Sequence, residues 1–190
     1  TCANTVVDRA RLAKKLSKLP GIIVCMEAIG IYHLDLSIAL HDAGVKLMVV
    51  NPKASHNFAK VLMKNSKTDA VDASTLAEYA ERMDFVAWTR PSNERLTLRS
   101  FSRRINALTR DKAAAKNHLH ALSFTRATPK SVLRDARLAI SQLEKRIARL
   151  SQDALSLIES DAEFNHVFEL LLGVKGIGKT SAIALMGELL

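Results

Sequence analysis

Apolar and polar positions follow two rhythms along this chain, and the change of rhythm near residue 91 divides it. In the first part, Gly21-Ile22-Ile23-Val24-Cys25-Met26-Glu27 is a continuous apolar run closed by a carboxylate, the pattern of a buried parallel strand. Ala28-Ile29-Gly30 turns the chain into a helix over about 32–43 and Gly44 stops it. A second strand, Val45-Lys46-Leu47-Met48-Val49-Val50, then ends at Asn51-Pro52. Strand, helix and strand at this spacing predict a right-handed βαβ unit with parallel strands. Glu27 and Asn51 then emerge at one sheet edge, where open α/β sheets place their sites. A short helix carrying Val7, Leu12 and Leu16 precedes this unit, with Pro20 beyond its end. Helices over about 53–63 and 69–83 follow it, separated by the polar break Lys64-Asn65-Ser66-Lys67, and Ala73, Leu76, Ala77 and Ala80 are the expected buried stripe of the second. Phe85 to Trp88 reads as a further short strand, and Arg90-Pro91-Ser92 closes the domain with Ser92 as N-cap of what comes next.

From there the spacing becomes heptad-like. Leu98, Phe101, Ile105, Leu108, Lys112, Ala115, Leu119 and Leu122 alternate by three and four, a coiled-coil seam with one polar break at Lys112. A turn at Thr125 to Thr128 leads to Pro129 at a first helical position, and Leu133, Ala136, Ile140, Leu143, Ile147, Leu150, Ala154 and Leu157 form a second seam. Two such helices joined by a short turn predict an antiparallel hairpin.

Charge changes the picture. The net charge of +9 over 190 residues is uneven: Arg95 to Leu150 holds 14 Lys and Arg against Asp111, Asp135 and Glu144, whereas the last 40 residues hold 2 basic against 6 acidic. A solvated helix face usually mixes both signs, so a one-signed middle segment reads as an electrostatic footprint for nucleic acid. No apolar run reaches membrane-spanning length and Thr1-Cys2-Ala3-Asn4 resembles no signal peptide, which gives the expectation of a soluble, cytosolic protein. Cys2 and Cys25 form neither a disulfide framework nor a CxxC, and His118 and His120, two apart on a helix, point in different directions and read as surface residues.

Two stretches carry candidate chemistry. Thr68-Asp69-Ala70-Val71-Asp72-Ala73 enters a helix with carboxylates three apart, on one face, where they can share a cation or a water; helix capping explains the same residues without any ligand. Glu27 at the strand end is the third carboxylate able to approach them. Gly173-Val174-Lys175-Gly176-Ile177-Gly178-Lys179-Thr180 satisfies the Walker A pattern, with Phe168 to Leu172 as its strand, but only ten residues follow for the helix, further strands and metal-holding acid of a P-loop domain. The competing reading is a helix-hairpin-helix, whose glycines bring backbone N–H groups close to a phosphate at the second helix's N-terminus.

Three separated stretches together resemble one family: Met26-Glu27-Ala28-Ile29-Gly30-Ile31-Tyr32, Asn51-Pro52 followed by Lys67-Thr68-Asp69-Ala70-Val71-Asp72-Ala73, and Gly173 to Ala184. They are similar to the DEDD transposases of bacterial insertion sequences, the family that includes the Piv/MooV invertases, and the basic segment with Arg103-Arg104, Lys116-Asn117 and Leu119 fits it too. Ile29 stands where the family tends to have Thr, and Lys175 where it has Pro. The resemblance implies an α/β RNase H-like (RuvC-like) domain over residues 1–91, truncated at its N-terminal strands. A basic antiparallel helical hairpin or coiled coil over 92–160 and the start of a helix-hairpin-helix transposase domain over 161–190 follow. It implies four acidic catalytic and metal-binding residues, of which Glu27, Asp69 and Asp72 match, and Mg²⁺ as cofactor in a two-metal site. The opening Asp and a downstream serine nucleophile have no counterpart in the 190 residues, so the expectation is an internal or truncated copy with incomplete chemistry.

The leading functional expectation is therefore a transposase or site-specific DNA recombinase of an insertion sequence, nucleoid-associated in a bacterial cytoplasm. DNA would be its partner, in some family members with a guide RNA, and self-association would run through the coiled coil. Arg99, Arg103, Arg104, Arg110, Lys112 and Lys116 on the first long helix, with Gly176, Gly178, Lys179 and Thr180 in the hairpin, are the expected nucleic-acid contacts. The alternatives are a non-catalytic nucleic-acid-binding module, in which the carboxylates merely cap, and a P-loop NTPase fragment.

Overall fold

A computed structural model describes residues 4–63 and 68–189; the break expected at Lys64 to Lys67, the lysine of the Lys67-Thr68-Asp69 block and Cys2 lie outside the described residues. The chain forms two compact units, Thr1–Arg90 and Pro91–Leu190.

In the first unit, α1 (Val6–Leu16) is capped by Thr5, whose side chain accepts from the Asp8 N–H. β1 (Ile23–Glu27), α2 (Leu34–Asp42) and β2 (Lys46–Val50) make the expected βαβ unit, the strands parallel with Glu27 opposite Val50. Gly44, at φ 75°, makes the turn out of α2 that a side chain would strain. Ala13, Leu40, Val45 and Leu47 are the buried core, with Leu16, Ile22, Val24 and Met26 packed against it. A fully buried leucine such as Leu40 contributes about 1.5–3 kcal/mol. Asn51 then caps α3 (Pro52–Val61) by accepting from the Lys53 N–H at 2.8 Å, and Thr68 caps α4 (Asp69–Arg82).

Two expectations fail in this unit. The stripe of α4 holds at Leu76 and Ala80, which are half-buried, and is displaced elsewhere: Thr75 is buried and Val71 and Tyr79 half-buried, whereas Ala73 and Ala77 are exposed. Alanines fit either face of a helix, and the larger Tyr79 decides by packing edge-on against Phe58, with ring centroids 5.1 Å apart. Phe85 to Trp88 forms no strand. A single ladder bond, Trp88 N–H to the Leu47 carbonyl at 2.8 Å, holds it to β2, while the indole meets His41 and Arg90 grips Asp42 at 2.7 and 2.9 Å. Among the described residues the sheet has two strands.

The second unit is helical. α5 (Asn93–Ser123), capped by Ser92, and α6 (Lys130–Ser160) each rise about 46 Å at 1.5 Å per residue. They run in opposite directions, since Leu98 shares a cluster with Ala154 and Ile158 while Lys116 lies 3.7 Å from Glu144. Leu98, Ile105 and Leu108 on α5 and Ile140 and Ala154 on α6 are buried, and the other seam positions, Lys112 included, are half-buried. Pro129 sits just outside α6 with extended backbone, ψ 142°, and serves as N-cap rather than first helical residue.

Asp161 ends α6 and caps α7 (Ala162–Leu172), accepting from the N–H groups of Glu163 and Phe164. A turn then leads to α8 (Lys179–Leu189). Phe164, Phe168, Ala182, Ile183 and Met186 join Leu98, Ile105, Ala154 and Ile158 in one core, so segments 92–160 and 161–190, separate in the sequence reading, pack together. Gly187 of α8 packs against Ser102 of α5, where an added Cβ would lie 2.4 Å from the serine Cβ. Among the described residues, no helix is long and apolar enough to cross a membrane.

Candidate functional site

The three carboxylates come together in the first unit. Glu27 is the last residue of β1, and parallel pairing carries it to the same edge as Asn51, from which α3 departs. α4 begins at Asp69, with Asp72 one turn on. Glu27, Asp69 and Asp72 line one cleft of about 980 Å³. Its walls are the 52, 55, 56, 59, 60 face of α3, the 69, 72, 73, 76 face of α4, and the turn carrying Ile29, Tyr32 and His33.

Sharing a cleft is not yet coordination. Among the described residues, no three His, Cys, Asp or Glu side chains stand close enough to hold a metal ion together. The donor chemistry nonetheless suits a hard divalent cation, since all three groups offer carboxylate oxygens. Glu27 is fixed by Ser55, whose buried hydroxyl lies 2.9 Å from its Oε2 and is equally near the Pro52 carbonyl, at 3.0 Å. Capping, the competing explanation for the aspartates, belongs to Thr68: its Oγ1 accepts from the Val71 N–H at 3.3 Å, while Asp69 and Asp72 occupy the first turn and favour the positive end of the helix dipole.

Sequence reasoning missed Ser55, His56, Lys60, Tyr32 and His33 as wall residues. The α3 stripe was legible once Asn51-Pro52 was recognised as a helix start, because Pro52, Ser55, His56, Ala59 and Lys60 fall on one face. His33 was not, since only packing shows that its Nδ1 is buried with no hydrogen-bond partner.

In the second unit the expected nucleic-acid residues divide. Arg103 makes a two-pronged ion pair with Glu188, Nε at 2.9 Å and a terminal nitrogen at 3.1 Å, and Arg99 stands 3.9 Å from the same carboxylate. The hydrogen bond from Arg103 holds the Glu188 carboxyl below its ordinary range, and the same bond raises the Arg103 guanidinium. Lys116 faces Glu144. Arg104 and Arg110 are exposed and Lys112 half-buried, none with an ion pair among the described residues.

Gly176, Gly178, Lys179 and Thr180 are exposed in the turn and first turn of α8. Gly176 has φ 98°, which demands glycine; at Gly178 an added Cβ would meet nothing within 4 Å, so no internal contact calls for its small size. The P-loop reading fails at this point. It requires a strand before the glycines, and Phe168 to Leu172 is the end of helix α7.

Known proteins agree with the sequence resemblance. A transposase family model, the DEDD transposases of the IS110 type, matches residues 1–123. The pilin gene-inverting protein of Moraxella bovis is 28% identical over 155 residues, covering 81% of this chain and 46% of that protein. A protein of Pseudomonas aeruginosa named "Probable family 20 transposase" is 27% identical, covering 94% and 58%. The transposase for insertion sequence element IS1328 of Yersinia enterocolitica is 25% identical, covering 96% and 59%. The chain thus spans about half the length of the curated relatives it matches. With a family match over well more than half its residues, this chain belongs to the DEDD transposase family of the IS110 type.

Proposed function

We propose that the chain serves DNA transposition or inversion, with the first unit as an RNase H-like, RuvC-type catalytic domain and the second as a nucleic-acid-holding helical hairpin followed by a helix-hairpin-helix. The observation that carries this is the gathering of Glu27, from the end of β1, with Asp69 and Asp72, from the first turn of α4, into one cleft. In this reading those carboxylates hold Mg²⁺, which when bound supplies activation of a nucleophile and charge stabilisation at a phosphodiester. Ser55 keeps the Glu27 carboxylate turned toward the cleft, and Thr68 holds the first turn of α4 so that both aspartates face it. Arg104, Arg110, Lys112, Lys179 and Thr180 contact the DNA backbone, with backbone N–H groups near Gly176 and Gly178 meeting a phosphate. Gene inversion and insertion-sequence transposition, the activities in the relatives' names, support this reading, in which an RNA partner and self-association through the long helices also have a place.

The lack, among the described residues, of three converging ligands favours a second reading, a nucleic-acid-binding module without catalysis. One experiment separates them. Affinity for a fluorescein-labelled DNA duplex is measured by anisotropy in Mg²⁺ and in EDTA, with strand cleavage followed on the same samples. The catalytic reading expects Mg²⁺ to tighten binding or support cleavage, and Glu27→Gln or Asp69→Asn to abolish that gain. Salt-dependent binding indifferent to Mg²⁺ and to Glu27→Gln would leave the binding module.

A further inference from the structure

The cleft holds opposite charges that do not neutralise each other. His56 and Lys60 stand four residues apart on α3, so both project from the same helix face, and both line the cleft with Glu27, Asp69 and Asp72. Yet neither His56 nor Lys60 forms an ion pair or side-chain hydrogen bond among the described residues, and neither do Asp69 and Asp72. Ion pairs elsewhere in this unit close to 2.9 Å, as Arg9 does on Asp35, so the separation is not a general looseness of packing. The Phe58–Tyr79 ring contact joins α3 to α4, and Ser55 joins α3 to Glu27. On the third side, His33 contributes a buried Nδ1 without a partner.

A cleft with carboxylates on one wall and uncompensated donors on the other is matched by a ligand carrying negative charge toward the donors while tolerating the acidic wall. A phosphodiester meets both demands: its non-bridging oxygens would face Lys60 and His56, and a divalent cation, were Glu27, Asp69 and Asp72 to hold one, would offset the charge of the acidic wall. We propose that His56 and Lys60 are positioning residues that grip the non-bridging oxygens of the nucleic-acid phosphate lying in this cleft. The assignment rests on the reading of the cleft as a nucleic-acid site. Lysine acts here as a point charge and histidine as a hydrogen-bond donor, and neither role involves proton transfer.

The test uses the whole chain and a fluorescein-labelled DNA duplex, with anisotropy titrations over a series of salt concentrations in Mg²⁺. Lys60→Ala should weaken binding about 3–10-fold at moderate salt and lower the slope of log affinity against log salt by about one, the loss of a single phosphate contact. Lys60→Arg should restore the slope, which a merely structural role would not produce, and His56→Ala should weaken binding by a smaller factor. Circular dichroism melts confirm folding, and both positions are exposed, so the variants retain the fold. Wild-type affinity and slope in Lys60→Ala would overturn the proposal. If wild-type binding ignores both Mg²⁺ and Glu27→Gln, the metal reading of the cleft falls. The Lys60→Ala slope then decides alone: a fall of one unit supports the phosphate contact, and no change removes it.

Discussion

Gly187→Ala is the most searching perturbation of the helical unit, because two physical effects of similar size oppose each other there. Replacing glycine by alanine within a helix stabilises it by about 1 kcal/mol through propensity. At Gly187, however, the new Cβ would lie 2.4 Å from the Ser102 Cβ, 2.7 Å from its Oγ and 3.4 Å from the Arg99 Cα. Ordinary carbon contacts sit near 3.5–4.0 Å, so α8 must retreat from α5 by roughly 1 Å, and overpacking of this kind costs about 1–3 kcal/mol. The obstruction includes a Cβ and a backbone atom, which no rotamer change removes. We expect a net loss of up to about 2 kcal/mol, lowering the urea midpoint followed by circular dichroism at 222 nm by up to about 1–2 M for a unit of this size. Trp88, the single tryptophan, reports by fluorescence on the first unit and separates its transition from that of the helices. Adding Ser102→Gly removes both obstructing side-chain atoms, so the double variant should recover most of the loss beyond the propensity cost at residue 102, with a coupling of about 1–3 kcal/mol in the cycle. A raised midpoint in Gly187→Ala, or two additive single effects, would refute the close α5–α8 packing.

Two further outcomes follow from the capping and charge geometry. Thr68→Ala should cost about 0.5–2 kcal/mol by freeing the Val71 N–H, with Thr68→Ser near wild type in thermal melts, and it should reduce any Mg²⁺-linked gain in DNA binding because Asp69 and Asp72 share that turn. Glu188→Gln should lose no more than about 0.5 kcal/mol at neutral pH, since the pair with Arg103 is solvent-exposed. The Glu188 carboxyl is held below its ordinary range, so its contribution is present above the ordinary carboxylate pKa and disappears as pH falls through the lowered one; urea midpoints of the variant should lack that acid-side decline.

Periodicity carried most of the fold because most elements satisfy it alone. The run Ile23–Glu27, the Asn51-Pro52 helix start and both seams from Leu98 to Leu157 are local signals, and each element forms where its pattern places it. What failed depended on partners distant in sequence. Phe85 to Trp88 has strand-like residues but only the Trp88 N–H reaches β2, and α4 turns to suit Tyr79 on Phe58 rather than its alanines. The same limit applies to the cleft. The carboxylates that share the cleft stand out in sequence as acidic residues at a strand end and a helix start, whereas Ser55, His56 and Lys60 are unremarkable letters until α3 is laid beside Glu27.

Charge shows how misleading a segment-by-segment count becomes once the chain folds. In sequence, Arg95 to Leu150 sets only three acidic residues against 14 basic ones and the last 40 residues carry an acidic excess, as though the two had separate business. In the fold, the acidic excess returns to the basic helix: Glu163 takes Arg95 at 3.1 Å, and Glu188 takes Arg103 while standing near Arg99. The cations of the first three turns of α5, Arg95, Arg99 and Arg103, are thereby largely compensated, and the uncompensated ones begin at Arg104 and continue through Arg110 and Lys112. The uncompensated positive stretch of α5 is thus shorter than the sequence count suggests, and lies away from the end where α7 and α8 pack. Arg99 and Arg103 can join it only by leaving Glu188, an exchange of one carboxylate for a phosphate that costs little at an exposed site. For that reason Glu188→Gln should tighten DNA binding and steepen its salt dependence, whereas Arg104→Ala should weaken binding whether or not Glu188 is present.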